Sequence, residues 1–334
     1  MAPPRKLLAL GVRDMVRISD ARIDAARFIA GDWGGSHLRL YLCDSSGVVE
    51  RRFGPGAVGA QEPHEQILMS LIEPWLARHG PLPVLLCGMI GSRNGWVEAP
   101  YAPAPAGLAD LRRLAVRVEA RGAPVSIAPG VCGRNPRGAP DVMRGEETQI
   151  MGALALMPDL AHGRRRVALP GTHTKWTLVE DGRIAGFQTA LTGEVFALLR
   201  DHASLAKLGR GGSAAGGEGG FAAGLESQSR SGQGGLLHQV FEVRSRQLVD
   251  GWSAAFALEF LSGLLIGADV AGALAQDMGE MGDVTLVGDP VLNTRYGEAL
   301  SRHGVQSRAL SGEDCVLAGL RGIFQTEEAP NVAR

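Results

Sequence analysis

Cysteine is scarce in this chain and never paired. Cys43, Cys87, Cys132 and Cys315 are the only four in 334 residues, too far apart for a CxxC motif. That spacing excludes a zinc ribbon or a disulfide framework and suits the reduced thiols of a cytoplasmic protein. Net charge is missing too: 34 Lys and Arg against 35 Asp and Glu leave −1. No global field is then available to recruit nucleic acid or an anionic membrane. A long unbroken apolar run is also absent. The most apolar stretch, 256–274, is interrupted by Glu259, Gly263, Gly267, Asp269 and Gly272, which predicts a buried helix rather than a span. Residues 1–27 carry Arg5, Lys6, Arg13, Arg17, Arg22 and Arg27 but no apolar core with a cleavage site. No secretory signal is expected there, and the segment reads as an extension without an assigned role. No strand–GxGxxG–helix unit occurs either. Gly217–Gly224 has the glycines but no preceding strand, so 208–235 reads as a mobile insertion or irregular helix edge, and a dinucleotide oxidoreductase is disfavoured.

Glycine, by contrast, is plentiful at 47 residues, and its placement carries information. In FIAGDWGGSHLRLYLCD a strand (28–31) leads into a turn with Asp32, Gly34, Gly35 and Ser36, then a second strand (38–43). That second strand alternates, Leu38, Leu40 and Leu42 against Arg39 and Tyr41. Glycines let an anion approach backbone N–H groups, and Ser36 adds a hydroxyl. Asp32 would repel a bare phosphate, so it suggests a hydrated Mg2+ between them. An ordinary glycine-rich hairpin is the competing reading. The theme returns at 167–190: a strand, the turn PGTHTK (170–175), a strand over 176–179, the Asp181–Gly182 turn and a third strand over 184–190. Thr172, His173, Thr174 and Lys175 supply donors and a positive charge suited to terminal phosphates. Two such hairpins, one per lobe, can clamp a polyphosphate from both sides. The second lacks an acid, which leaves the metal to Asp32.

Between the hairpins, 65–79 has helical spacing and Val84–Cys87 reads as a sheet-interior strand. The strand runs into GMIGSRNGWVEAPY, 88–101, where Gly88, Gly91, Gly95 and Pro100 forbid a helix. Loops at the carboxyl ends of strands are where open α/β sheets place ligands. Ser92, Arg93, Trp96, Glu98 and Tyr101 suit a polyol acid, with Arg93 able to donate a forked pair of bonds to a carboxylate. The alternative is a surface loop with one tucked-in aromatic. Residues 109–121 read as a helix, 125–128 as a strand and 129–140 as a loop. In 141–157, Ile150, Met151, Leu154 and Met157 give a helical face with Glu146 and Glu147 in the first turn. Acids there favour the helix dipole without further reason. The sharper reading makes one of them a general base, beside Gly145 and Arg144.

Thr192 is expected to cap a helix over 192–201, and helices are expected at 240–248 and 252–275. In VTLVGDPVLNTRYGEAL a strand enters Gly288, and Asp289 caps a helix with Pro290 at its first position. Gly288, Asp289, Asn293 and Tyr296 then outline an adenosine pocket at a sheet edge, against the plainer reading of a well-capped βα unit. A final helix covers 313–324.

Taken in order, DWGGS, GMIGSRNGWVEAPY, MRGEETQ, LPGTHTKW and LTGEVF resemble the 2-dehydro-3-deoxygalactonokinase family over about residues 29–324. The family belongs to the sugar-kinase branch of the actin/Hsp70/hexokinase superfamily. The resemblance implies an α/β, two-lobed fold with an interlobe ATP cleft, the lobes at 28–162 and 163–334 and the last helix packing back on the first. It implies ATP-dependent phosphorylation of the 6-hydroxyl of 2-dehydro-3-deoxy-D-galactonate in galactonate catabolism, with Mg2+. By the same resemblance the position matching the catalytic carboxylate is Glu146, with Glu147 as competitor, although relatives usually carry aspartate. The substrate carboxylate would fall to Arg93 or Arg144. The expected partner is a small sugar acid rather than nucleic acid or membrane, and a homodimer is compatible with the chain. A kinase for another sugar acid or an anhydro-sugar, and an actin- or chaperone-like ATPase, are the rival expectations.

Overall fold

The computed structural model describes residues 27–203, 205, 216–230, 235–276 and 282–324. Apart from Arg27, the amino-terminal extension lies outside the described residues, as does part of the glycine-rich stretch.

One strand pattern occurs twice. Strands β1 (Arg27–Trp33), β2 (His37–Asp44) and β3 (Gly47–Pro55) form an antiparallel meander. On the far side of β1, β4 (Val84–Cys87) and β7 (Ala123–Ile127) pair parallel, and β6 (Val116–Ala120) closes the edge. The resulting order is β3-β2-β1-β4-β7-β6. In the second half β10 (Arg164–Leu169), β11 (Thr174–Glu180) and β12 (Arg183–Ala190) repeat the meander, and β13 (Val284–Gly288) and β14 (Ser307–Ser311) add in parallel, giving β12-β11-β10-β13-β14. A small third sheet, β5 (Tyr101–Pro103), β8 (Gly130–Arg134) and β9 (Pro140–Met143), lies beside β12.

The alternation in β2 sorts its side chains between two cores. Leu38, Leu40 and Leu42 pack with Ile67, Leu68, Ile72 and Trp75 of α1 (His64–His79), whereas Tyr41 and Cys43 face a central cluster. That cluster also holds Val167, Leu169 and Val287 of the second sheet. It is filled by α3 (Glu146–Leu156) and α9 (Gly312–Phe324), so it joins both sheets. The two helices touch backbone to backbone: a Cβ on Gly152 would lie 1.7 Å from the Cys315 carbonyl oxygen, and one on Gly319 would lie 1.9 Å from that of Thr148. Outside the second sheet are α4 (Thr192–Asp201), α5 (Gly220–Ser229), α6 (Leu236–Val249), α7 (Ala254–Ala275) and α8 (Pro290–Ser301). By length and composition α7 is apolar enough to cross a membrane. Here it packs against α4, α5, α6 and α8 and spends both its acids on protein partners, Glu259 on Arg295 and Asp269 on Trp176, Thr192 and Tyr296.

Several local expectations change. Residues 109–121 split into α2 (Leu108–Leu114) and β6, because Val116, Val118 and Ala120 alternate with Arg117 and Glu119 beside β7. The 129–140 loop contains β8, paired to β9. The described part of the glycine-rich stretch includes the regular helix α5, whose Gly220 and Gly224 let it lie on α7, where a Cβ on Gly224 would meet the Phe260 carbonyl oxygen at 2.2 Å. Thr192 is the first helical residue and not the cap, and its hydroxyl is drawn to Asp269 at 2.6 Å.

Candidate active site

A cleft of about 1000 Å3 lies between the two meanders. From the first half come Asp32, Gly34, Arg39, Tyr41 and Gly88, and from the second Pro170, Gly171, Thr172 and His173. Both polar turns therefore open onto one space. Gly34 and Gly35 have room for a Cβ, so no packing demand explains them. The glycine that this turn requires is Gly56, whose Cβ would lie 2.0 Å from the Gly35 carbonyl oxygen. It lets the chain after β3 brace the turn through Gly56, Ala57 and Val58 N–H groups, which donate to the carbonyls of Ser36, Gly34 and Gly35 at 3.0–3.1 Å. Asp32, next to last in β1, lies opposite Arg39, which donates to it at 3.2 Å. Burial pushes the Asp32 carboxyl above its ordinary range, and Arg39 opposes that.

The structure separates the adjacent glutamates. Glycines with positive φ, Gly88 after β4 and Gly145 before α3, approach each other closely and set the start of α3 at the cleft floor. Glu146 lines the cleft; one of its oxygens accepts the Arg144 backbone N–H at 3.0 Å. Burial raises its pKa, and the Lys175 ammonium is the first influence pulling it back. Glu147 is wholly buried beneath. It accepts the Gly145 N–H at 2.7 Å and the Thr148 hydroxyl at 2.9 Å, and burial followed by the charge of Glu146 pushes it up to about 7.

The remaining candidates fall into three groups. Gly288, Asp289 and Tyr296 line the far end of the cleft; Asp289 caps α8 by accepting from Val291 and Leu292, and the Tyr296 hydroxyl donates to Asp269 at 2.6 Å. Gly35, Ser36, Thr174, Lys175 and Asn293 do not line it. Thr174 and Lys175 belong to β11 and are buried: the Thr174 hydroxyl shares a hydrogen bond with that of Tyr296, and Lys175 Nζ donates to the Val142 carbonyl and the Thr189 hydroxyl, both at 2.8 Å. Asn293 donates to the Leu310 carbonyl at 3.1 Å and so ties α8 to the end of β14. In the 88–101 loop, Ser92, Arg93, Trp96, Glu98 and Tyr101 also stay off the cleft wall. Trp96 packs against the core cluster that α1 and β2 share, Arg93 is exposed without an ion-pair partner among the described residues, and Glu98 is exposed. The loop meets the cleft through Arg144, whose guanidinium lies 4.2 Å over the Tyr101 ring and donates to the Ala99 carbonyl at 2.8 Å. Its Nε and Nη1 are buried without a hydrogen-bond partner.

Sequence reasoning passed over Arg39, Tyr41, Gly193 and Glu313, all on the cleft wall. A signal for Glu313 existed. Gly145, Glu146 and Gly152 recur at the same spacing as Gly312, Glu313 and Gly319, one set opening α3 and the other α9.

A duplicated meander of this order, with helices behind a cleft that both copies line, is the α/β fold of the actin/hexokinase-like class. Within it the chain belongs to the 2-keto-3-deoxy-galactonokinase family, whose model matches residues 32–323. It is 38% identical to a Rhizobium meliloti (strain 1021) protein described as a probable 2-dehydro-3-deoxygalactonokinase, over 89% of this chain and 96% of that one. With the Escherichia coli (strain K12) 2-dehydro-3-deoxygalactonokinase it shares 35% identity over 89% and 97%. A crystal structure of a Sinorhizobium meliloti protein assigned to the same activity superposes with a TM-score of 0.76 at 36% identity, covering 89% and 97%.

Proposed function

We infer that this chain transfers the γ-phosphoryl group of ATP to the 6-hydroxyl of 2-dehydro-3-deoxy-D-galactonate, a step of galactonate catabolism. Family membership supports the reaction. The observation that supports the placement is the shared cleft, with both polar turns and one carboxylate on its walls. The triphosphate would lie between the Asp32–Gly34 and Pro170–His173 turns, with the adenosine toward Gly288, Asp289 and the start of α8. Glu146 would accept the proton of the attacking hydroxyl as the new O–P bond forms and the bond to the β-phosphate oxygen breaks, leaving ADP. One Glu146 oxygen is held by the Arg144 N–H, which leaves the other for that hydroxyl. Glu147 has no path to the cleft and supports the turn instead. Arg144, with two unused guanidinium N–H groups beside the cleft, suits the substrate carboxylate better than exposed Arg93. Tyr101 would fix the plane of that guanidinium.

Magnesium fits as a phosphate-borne ion. No cluster of three His, Cys, Asp or Glu occurs among the described residues, and Mg2+ needs none when phosphates and retained water complete its shell. Asp32 would hold it through water, and its chemistry is to neutralise charge on the phosphates. The described cysteines are free thiols, in keeping with a cytoplasmic setting.

A coupled ADP-release assay over aldonates and keto-deoxy-aldonates tests this reading. Turnover should require a 2-keto-3-deoxy sugar acid, with the galactonate-derived compound preferred. ATP hydrolysis that ignores every such acid would overturn it.

A further inference from the structure

The reaction as described leaves one partly buried acid without a task. Asp269, on the inner face of α7, has no cationic partner among the described residues yet collects hydrogen bonds from three other elements. Trp176 Nε1 of β11 donates to Oδ1 at 2.8 Å, and the hydroxyls of Thr192 on α4 and Tyr296 on α8 both donate to Oδ2 at 2.6 Å. Tyr296 is linked onward to the Thr174 hydroxyl at 2.8 Å. Burying a carboxylate costs stability unless its lone pairs are filled, and here both oxygens are committed. Filling them draws β11, α4 and α8 to one point on α7.

That point lies directly behind the second turn. Thr192 and Gly193 open α4 and line the cleft together with Tyr296. A Cβ on Gly193 would fall 2.4 Å from the Gly171 carbonyl oxygen, so the start of α4 rests on the turn backbone. The Glu194 N–H donates to the Thr172 carbonyl at 3.0 Å, and the Glu194 carboxylate meets His173 Nε2 at 2.6 Å. The 170–173 turn is therefore fastened to α4, and α4 is fastened through Thr192 to Asp269. Thr174, the residue immediately after the turn, reaches the same acid by way of Tyr296.

We propose that Asp269 is a positioning residue for the phosphoryl donor, holding the start of α4 and the Pro170–His173 turn at the spacing the triphosphate needs. This rests on the nucleotide lying in the shared cleft, as proposed above. Asp269 touches neither substrate. Its effect should reach the donor through Thr192 and the turn and leave the sugar-acid side, across the cleft at Arg144, undisturbed.

Asp269→Asn is a gentle probe. The amide oxygen can keep the Trp176 bond, and the amide nitrogen can donate to the Thr192 and Tyr296 hydroxyls, which are able to accept. The fold is retained while the bond to Thr192 reverses direction and loses its charge. A charge-assisted bond is worth more than a neutral one, so the KM for ATP should rise about tenfold while the KM for the sugar acid stays within twofold. Thr192→Val should produce the same selective rise, and the double variant little more than either alone. An unchanged KM for ATP in Asp269→Asn, with wild type active, would overturn the proposal. So would an equal rise in both KM values. If Asp269→Asn does not fold, Thr192→Val decides: a selective ATP defect upholds the proposal and a normal KM sinks it. Failure of the underlying reading looks different, because wild type itself would then show no saturable dependence on ATP.

Discussion

Glu146 and Glu147 are neighbours with the same side chain and opposite situations. One faces the cleft, and the other has no contact with solvent. Glu146→Gln should therefore lower kcat by about 10²–10⁴-fold while ATP binding persists, as titration with a non-hydrolysable analogue would show. Turnover within threefold of wild type would remove Glu146 from the chemistry. Lys175 bears on the same carboxyl. Its ammonium favours the ionised form that a base requires, so Lys175→Met should move the acid limb of the kcat–pH profile to higher pH. Because Nζ is bonded to Val142 and Thr189 and does not line the cleft, the KM for ATP should hold. Glu147 gives a stability signature instead. Its folded pKa is raised, so the proton is bound more tightly in the fold, and ionising the group costs stability as pH climbs from 4.5 to about 7. Glu147→Gln escapes that cost: its melting temperature relative to wild type should rise across this window and level off above it. A difference independent of pH would mean that folding leaves the Glu147 pKa unshifted.

At the scale of elements, the contact between α3 and α9 is set by Gly152 and Gly319, which leave no room for a methyl group. Gly152→Ala must push the helices apart against closely packed backbone, at a cost of about 1–3 kcal/mol. Because Glu146 opens α3, kcat should fall as well. A helix-propensity gain with full activity, measured by chemical denaturation and turnover, would contradict the geometry. How far the sequence discloses such elements depends on how local their cause is. The first hairpin, the second meander and the start of α8 were legible, since alternation, the Asp181–Gly182 turn and the Asp289–Pro290 cap are local signals. β3 was missed: GVVERRFGP has no fully buried residue, and its pairing with β2 defines it more than any apolar pattern. α5 was hidden because its glycines serve contact with α7, which no local signal reports. The site follows the same rule. The turns were legible as polar glycine segments. That the Lys175 ammonium stays off the cleft wall and reaches Val142 of β9 and Thr189 of β12 depends on strands distant in sequence meeting beside β11, settled only in the folded chain.

Across the whole molecule, the two sheets belong to one hydrophobic body. Phe28, Ala30, Tyr41 and Leu85 of the first sheet share a cluster with Val167, Leu169 and Val287 of the second, through Ile150, Met151, Cys315, Val316 and Leu320 of α3 and α9. A half that unfolded alone would expose this shared layer on the half that stayed folded, and burial of such residues is worth about 1.5–3 kcal/mol each. That coupling exceeds what a domain linker supplies, so one cooperative transition is expected despite the duplicated sheets. Tryptophans report on each side: Trp33 and Trp75 sit in the first outer cluster, and Trp176 lies in the core beneath α7. Variants retaining only Trp75 or only Trp176 should show the same denaturant midpoint. A ligand spanning the cleft should raise both together, by about 2.7 kcal/mol at a hundredfold excess over Kd. Separate midpoints, or a nucleotide that shifts only the Trp176 transition, would show that α3 and α9 join two independently stable units and that closure around the substrate begins from a looser arrangement than the shared core implies.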